Sequence, residues 1–471
     1  MRTALQQDLI KLVGAKGVVS NAAEMAPFLA EERGLYQGRC ELVICPTSTE
    51  EVSKVVSYCA SRNIPITPQG GNTGTVGGSS ASGGILISLK RMTTIIEIDP
   101  VNRTVTVNSG CILATLQRAV SDQGLMFPVS LGAEGTCHVG GILSTNAGGV
   151  NVLRYGNAAD QVLGLEVVLP DGQVWNGLRG LRKDNTGYDL KRLFCGAEGT
   201  LGVITTAVLK LHNAPKTTVT LMVATSGYRN ALAVFNRMQN SFDSNLSAAE
   251  LISNMAMEFV ARHIPGLSNP FSEIHHCYVL FELTSARADV SLRSGAEAVL
   301  ESAFETGLVD DAVFAESQAQ AATLWSLRET ISESQKSEGG SIKHDVAVPV
   351  SKLAEFMERA DAVVREEDPD IRICAFGHMG DGNIHYNLSQ PVNAKGKEFV
   401  DQWGHFSRLV HDLTVSLGGS FSAEHGIGQL KLQDMERYKQ PLELELMKKI
   451  KLALDPCNRM NPGKVVRFGK F

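Results

Sequence analysis

No apolar run among the 471 residues approaches the roughly 20 needed to cross a bilayer as a helix, so no transmembrane segment is expected. The opening Met1–Asp8 stretch has neither the apolar core of a signal peptide nor the Arg/Ser-rich, acid-poor character of a transit peptide, and a cytoplasmic location is the expectation. Basic residues are in the minority. Forty-four Lys and Arg stand against 50 Asp and Glu, and the net charge of −6 gives no electrostatic case for binding nucleic acid. The nine cysteines include no Cys-x-x-Cys pair and are odd in number, which suits reduced thiols rather than a disulfide framework. Gly-x-Gly-x-x-Gly is absent, which argues against a dinucleotide bound in the Rossmann manner, and no His-Glu-x-x-His zinc motif occurs.

What is present is ordinary globular composition, 43% hydrophobic and 20% charged, in a chain too long for one core. Two or three domains are expected. Residues 46–212 are rich in glycine and short β-type runs: Leu42–Pro46, Ile85–Leu89, Ile95–Asp99, Thr104–Asn108, Val162–Leu169 and Gly202–His212 read as strands. Thr49–Asn63 and Ile112–Gln123 have helical spacing. The texture changes near Asn213–Lys216, and beyond it strands such as Val219–Ala224 and His276–Thr284 alternate with longer helical patterns. The expected divisions are 1–214, 215–425 and 426–471, with Phe399–Leu417 and Leu442–Leu454 as closing helices.

The segment Gly377-His378-Met379-Gly380-Asp381-Gly382-Asn383-Ile384-His385-Tyr386-Asn387 is the densest in chemistry. Its apolar flanks, Ile371–Phe376 and Ile384–Leu388, read as strands, and the glycines between them permit a sharp turn. Such a turn brings His378 and His385 close, and the two-residue period of a strand puts His385 and Asn387 on one face. A carboxylate from Glu424 completes a two-His, one-carboxylate set able to hold a zinc-like divalent ion with a position left open. His425, next to that ligand, can then move a proton. Taken alone, two histidines seven apart are also met as hydrogen-bonded core residues.

Three glycine-dense loops precede the change of texture. The first, Gln69–Ser79, has five glycines between positions 70 and 78, and its backbone N–H groups can nest an anion, although no lysine follows as in a P-loop. The second runs from Ser130 through Thr136 into Gly140-Gly141 and Asn146–Gly149; the third leads from Lys183–Leu190 to Gly196–Gly202. A single such loop is also a plain surface turn. Three in one domain suggest backbone wrapped around a large, extended polar ligand.

In order and spelling these loops resemble the FAD-binding domain of the vanillyl-alcohol oxidase/PCMH flavoprotein superfamily. The His378–His385 and Ala423–Gly428 segments, with Leu454-Asp455-Pro456 and Asn461-Pro462-Gly463-Lys464, resemble its D-2-hydroxyacid dehydrogenase branch, and Pro68–Gly74 is similar to the D-2-hydroxyglutarate dehydrogenases within it. The resemblance covers about Pro46 to Lys464. It implies an α+β fold, with a PCMH-type FAD-binding domain over 1–214, a substrate (cap) domain with an antiparallel sheet and the metal site over 215–425, and a C-terminal helical segment returning to the FAD domain. FAD contacts are implied at Gly70, Gly71, Asn72, Thr73, Gly74, Gly77 and Gly78 of the first loop, and at Ser130, Gly132, Gly135, Thr136, Gly140, Gly141, Asn146, Gly148 and Gly149 of the second. Glu198, Gly199, Gly202, Val203 and Asn461 complete the set.

The resemblance further implies His378, His385 and Glu424 as ligands of Zn2+ or another divalent ion, His425 as base, Asn387 at the substrate's edge, and Arg328, Ser332 and Lys343 on the substrate carboxylates. Dicarboxylate members often carry threonine where Ser332 stands, which keeps the hydroxyl donor. Helical spacing puts Arg328 and Ser332 on one face with Trp325, and strand spacing does the same for Lys343 and Asp345. The implied reaction oxidises D-2-hydroxyglutarate, with D-malate as a further substrate, to the 2-oxo acid; the hydride goes to flavin N5 and the hydroxyl proton to His425. D-lactate or glycolate oxidation is the alternative within the superfamily, and a zinc hydrolase or a non-catalytic flavin subunit are alternatives outside that chemistry. Residues 68–80 contain no His or Cys, so FAD is expected to be non-covalent, with Cys137 a packed residue. The expected electron acceptor is an electron-transfer flavoprotein or a quinone-linked carrier, and a homodimer is one expected assembly.

Overall fold

The computed structural model describes residues 4–31, 33–288 and 291–468. The chain divides into two compact units. The first takes Met1–Gly149, Gly156–Ala214 and Glu424–Phe471; the second takes Val150–Tyr155 and Pro215–Ala423. Among the described residues no helix is long and apolar enough to cross a membrane.

The first unit is built on two main sheets. In the four-stranded one, Leu42–Ile44 and Ile66–Gln69 both run parallel to Ile85–Ser88, and Val18–Val19 adds an antiparallel edge. The helix Thr49–Ser61 starts where the Ser48 side chain accepts the Glu51 N–H, and Glu50 and Glu51 lie in its first turn, where acidic groups suit the helix dipole. Val52, Val55, Val56 and Cys59 recur at helical spacing, are fully buried, and pack with the apolar side chains of that sheet. Each valine buried this way contributes roughly 1.5–3 kcal/mol. The second sheet is antiparallel, in the order Ile95–Asp99, Thr104–Asn108, Val203–Lys210, Val162–Val168, Val174–Gly177. The β run expected over Gly202–His212 is divided, because Leu211 bonds back to Arg103 and His212–Asn213 leaves to pair with Leu125–Met126.

The segment Lys451–Asn461 is fastened within this unit. Lys451, almost wholly buried, donates to the Thr200 carbonyl, the Asp455 carboxylate and the Met460 carbonyl at 2.6, 2.5 and 2.7 Å. Asp455 also accepts the Met460 N–H at 2.7 Å, and Asn461 N–H reaches the Ile66 carbonyl. The Leu454-Asp455-Pro456…Asn461 spelling thus encodes a clasp between the helix Pro441–Leu454 and the segment that follows it.

The second unit holds one eight-stranded antiparallel sheet. Its order is Asp311–Phe314, Thr217–Thr225, Cys277–Ser285, Leu246–Ser253, Arg372–His378, Asn383–Ser389, with Ser341–Ile342 and Asp345–Ala347 sharing the last strand's outer edge. Its helices, among them Tyr228–Phe242, Ser291–Glu305 and Leu353–Glu367, place apolar faces in the unit's larger core. Two local expectations fail here. The helix carrying Arg328 ends at Glu329 and a new one starts at Ile331, with Thr330 between them capping the first through its N–H on the Ser326 carbonyl. Arg328 and Ser332 therefore sit on two successive helices instead of one continuous helix. Lys343 lies in a gap between two strand pieces instead of on a continuous strand with Asp345. There the His344 N–H bonds the Asn387 side-chain oxygen at 3.3 Å.

Candidate active site

Strands Arg372–His378 and Asn383–Ser389 are joined by a turn that needs its sequence. The Asp381 carboxylate accepts the Asn383 N–H at 3.0 Å, and Gly382 takes φ +77 where a Cβ would stand 1.9 Å from the Val348 carbonyl oxygen. Only glycine fits that position. The pairing aligns His378 with Asn383 and Phe376 with His385, so period-two alternation turns both imidazoles to the same face. Their ring centroids are 6.2 Å apart.

The neighbouring strand Leu246–Ser253 adds a residue that the sequence reading missed. Glu250 is aligned with His378 and is fully buried, with one oxygen 2.5 Å from His378 Nδ1 and the other 2.7 Å from Arg328 Nε. Burial alone raises the pKa of this carboxyl, but His378 and Arg328 beside it hold it below the ordinary value. The signal in the sequence is one charged residue inside a strand whose other positions are all buried. Arg328 is itself buried, its guanidinium 4.7 Å from the Phe376 ring centroid. Its terminal nitrogens make no hydrogen bond with any described residue, so the planar fork remains available to an anion.

On the other side of His385 stands Asp345, aligned with it in register and 3.8 Å from its Nδ1. The Asp345 carboxylate accepts from the Asn383 amide at 3.0 Å, and its carbonyl accepts the Ala423 N–H. Asn387 is buried and engaged: besides accepting from His344, it donates to Gln335 Oε1 at 3.1 Å. Lys343 is half-buried and Ser332 exposed. In the first unit, one oxygen of Glu424 accepts the Gly149 N–H at 2.9 Å, and Glu424 and His425 are both half-buried.

The glycine loops of the first unit serve two purposes. A Cβ on Gly71 would stand 2.2 Å from the Thr136 carbonyl oxygen, and one on Gly149 would stand 1.9 Å from that of Ser130; these glycines let one stretch of backbone lie on another. A Cβ on Gly74, Gly132, Gly135 or Gly141 would point into open space, which leaves room for a ligand against bare backbone. Nearby, the buried atoms Thr75 Oγ1, Ser109 Oγ, His138 Nδ1 and Asn461 Oδ1 have no hydrogen-bond partner among the described residues. Such groups are costly unless something polar meets them. Glu198 joins the loops to the chain end. Its buried carboxylate accepts the Ile427 and Gly428 N–H groups at 2.7 and 2.8 Å, and Asn461 Nδ2 donates both to its carbonyl and to that of Gly78. Burial raises the pKa of Glu198; it also lowers that of nearby Lys464, to about 8 against Glu198's opposing pull. Cys137 is buried, and burial pushes its thiol up to about 11, which keeps it protonated and unreactive.

Comparison with known proteins accounts for both halves. Residues 214–465 match the family described as FAD linked oxidases, C-terminal domain, and residues 40–177 match the FAD binding domain family. A rice protein (Oryza sativa subsp. indica) named "Probable D-2-hydroxyglutarate dehydrogenase, mitochondrial" is 38% identical over 97% of this chain and 80% of its own length. The D-2-hydroxyglutarate dehydrogenase of Xanthomonas citri pv. viticola is 36% identical over 90% of this chain and 88% of its own. A fission-yeast protein (Schizosaccharomyces pombe) provisionally named as a mitochondrial D-lactate dehydrogenase is 34% identical over 95% and 86%. Among solved structures, p-cresol methylhydroxylase with substrate bound shares the fold, with a TM-score of 0.76 over 97% of this chain and 95% of that one at 16% identity. The chain thus carries an FAD binding domain and belongs to the FAD-linked oxidases of the PCMH type, in their D-2-hydroxyacid dehydrogenase branch.

Proposed function

We propose that this enzyme oxidises D-2-hydroxyglutarate to the 2-oxo acid, with D-malate as a further substrate. The observation that carries the reading is the buried Arg328 fork, held by Glu250 beside the two converging histidines. The names of the relatives from rice and Xanthomonas support the same choice. His378, His385 and Glu424 would hold a divalent ion; two imidazoles and a carboxylate suit zinc, and also manganese or iron. The donor set fits. Glu250 occupies His378 Nδ1 and so leaves Nε2 as the ligand atom. When bound, FAD supplies the acceptor for the C2 hydride and the ion supplies Lewis acidity at the hydroxyl.

The remaining work falls to this chain's side chains. His425 takes the C2 hydroxyl proton, a task suited to imidazole near neutral pH. Arg328 grips a carboxylate through its terminal nitrogens, Ser332 donates a hydroxyl, and Lys343 adds a point charge. Asn387, fixed by His344 and Gln335, frames the substrate's edge. Reduced enzyme passes its electrons to an electron-transfer flavoprotein or a quinone-linked carrier.

Three donors exceed what one carboxylate uses, so a substrate with a second carboxylate is favoured and an apolar one would leave the buried Arg328 fork unmatched. Anaerobic bleaching of the flavin by a panel of D-2-hydroxy acids tests this. D-2-hydroxyglutarate should bleach it at the lowest concentration, and a preference for D-lactate would favour the reading suggested by the fission-yeast relative's name. Lys343→Ala should raise KM for the diacid by roughly ten- to hundredfold, the worth of a charge-assisted hydrogen bond, with far less effect on D-lactate. Equal effects on both acids would show that Lys343 does not read the second carboxylate.

FAD is held without a covalent link, because residues 68–80 offer no His or Cys and the Cys137 thiol is buried and protonated. Acid or heat precipitation should therefore release all the yellow colour to the supernatant; colour remaining with the pellet would refute it.

A further inference from the structure

Glu250 lies on a central strand of the sheet with Ala248, Ala249, Leu251 and Ile252 buried around it, and its side chain has no exposure at all. Taking a carboxylate out of water costs several kcal/mol even when it is paired, and an apolar residue of similar size commonly serves stability as well or better. Stability alone gives no account of a glutamate here. Its geometry does two things that an apolar side chain cannot. One oxygen, at His378 Nδ1, fixes the ring proton there and makes the opposite nitrogen the lone-pair donor. The other, at Arg328 Nε, leaves the two terminal nitrogens of the guanidinium as an open fork, which Phe376 backs at 4.7 Å.

We propose that Glu250 is a positioning residue that sets the tautomer of His378 and the orientation of Arg328 together, so that ion affinity and substrate-carboxylate affinity depend on one buried carboxylate. The inference rests on the ion-site reading of His378 given above.

Glu250→Gln keeps the size but has one carbonyl and one amide group where two acceptors are needed. Its NH2 must face either the Arg328 N–H, donor against donor, or His378 Nδ1, which moves the ring proton to Nε2. In the FAD-loaded variant the dissociation constant for Zn2+, measured by competition with a chelator, should rise about 10–100-fold, and KM for D-2-hydroxyglutarate should rise with it. FAD content and melting temperature report whether the variant is folded. A folded variant with unchanged zinc affinity overturns the proposal.

A second measurement needs no change at Glu250. In wild-type, zinc-free protein labelled with 15N-histidine, the His378 resonance, identified by its loss in His378→Gln, should show the proton on Nδ1. A proton on Nε2 would overturn the proposal even if Glu250→Gln fails to fold. Wild-type protein that binds no zinc sinks the ion-site reading instead, and the tautomer measurement then judges Glu250 by itself.

Discussion

His425→Ala is expected to slow anaerobic flavin reduction by D-2-hydroxyglutarate by about 10²–10⁴-fold, the usual worth of a positioned general base. FAD and the divalent ion should both stay bound. The expectation follows from how the segment is held. His425 sits between Glu424, whose carboxylate is anchored on the Gly149 N–H, and Ile427 and Gly428, whose N–H groups are anchored on Glu198. Gly426 at φ +75 and Gly428 at φ +50 let the chain turn tightly through these anchors. The backbone on both sides of His425 is thus fixed by contacts that its side chain does not make, and truncation should remove the imidazole without moving its neighbours. Stopped-flow absorbance of the flavin gives the rate, and metal analysis gives the ion content. Loss of the ion in His425→Ala would show that the roles of Glu424 and His425 are exchanged.

The parts of this architecture that were legible in the sequence are those with local causes. The strands Arg372–His378 and Asn383–Ser389 are marked by apolar residues on each side of a glycine-bearing turn, and their alternation alone turns both histidines to one face. The helix Thr49–Ser61 is marked by its spacing of valines. What was not legible depends on partners far away in sequence. Glu250 lies 78 residues from Arg328 and 128 from His378, so nothing near it explains a charge in a buried strand. The break between Arg328 and Ser332 falls at Thr330, in a stretch whose spacing reads as a continuous helix. The gap at Lys343 comes from the side chain of Asn387 on another strand. The glycine loops show the same limit: their composition points to a ligand, but it does not separate Gly71, which lies against backbone, from Gly74, which faces open space.

Removal of the divalent ion by a chelator should abolish turnover and leave FAD bound. In the reading proposed above, FAD meets loop backbone and buried polar atoms of the first unit, whereas two of the three ion ligands, His378 and His385, stand on the sheet of the second and only Glu424 belongs to the first. Loss of the ion therefore need not loosen the flavin. Substitution of the two histidines should separate ligation from folding. His385 is half-buried, with the Asp345 carboxylate 3.8 Å from its Nδ1; His385→Ala should lose the ion and the activity at a smaller cost in melting temperature than His378→Ala, because it strips no fully buried carboxylate of a partner. His378→Ala should lose both and also destabilise the protein by about 3 kcal/mol, because it strips a fully buried Glu250 of one of its two partners. Restoring Zn2+ or Mn2+ to the chelated wild type should recover turnover, and neither histidine variant should respond. Full activity in metal-free wild-type enzyme would remove the ion from the mechanism. The larger loss of stability in His378→Ala would still be expected, because it depends only on the buried pair with Glu250.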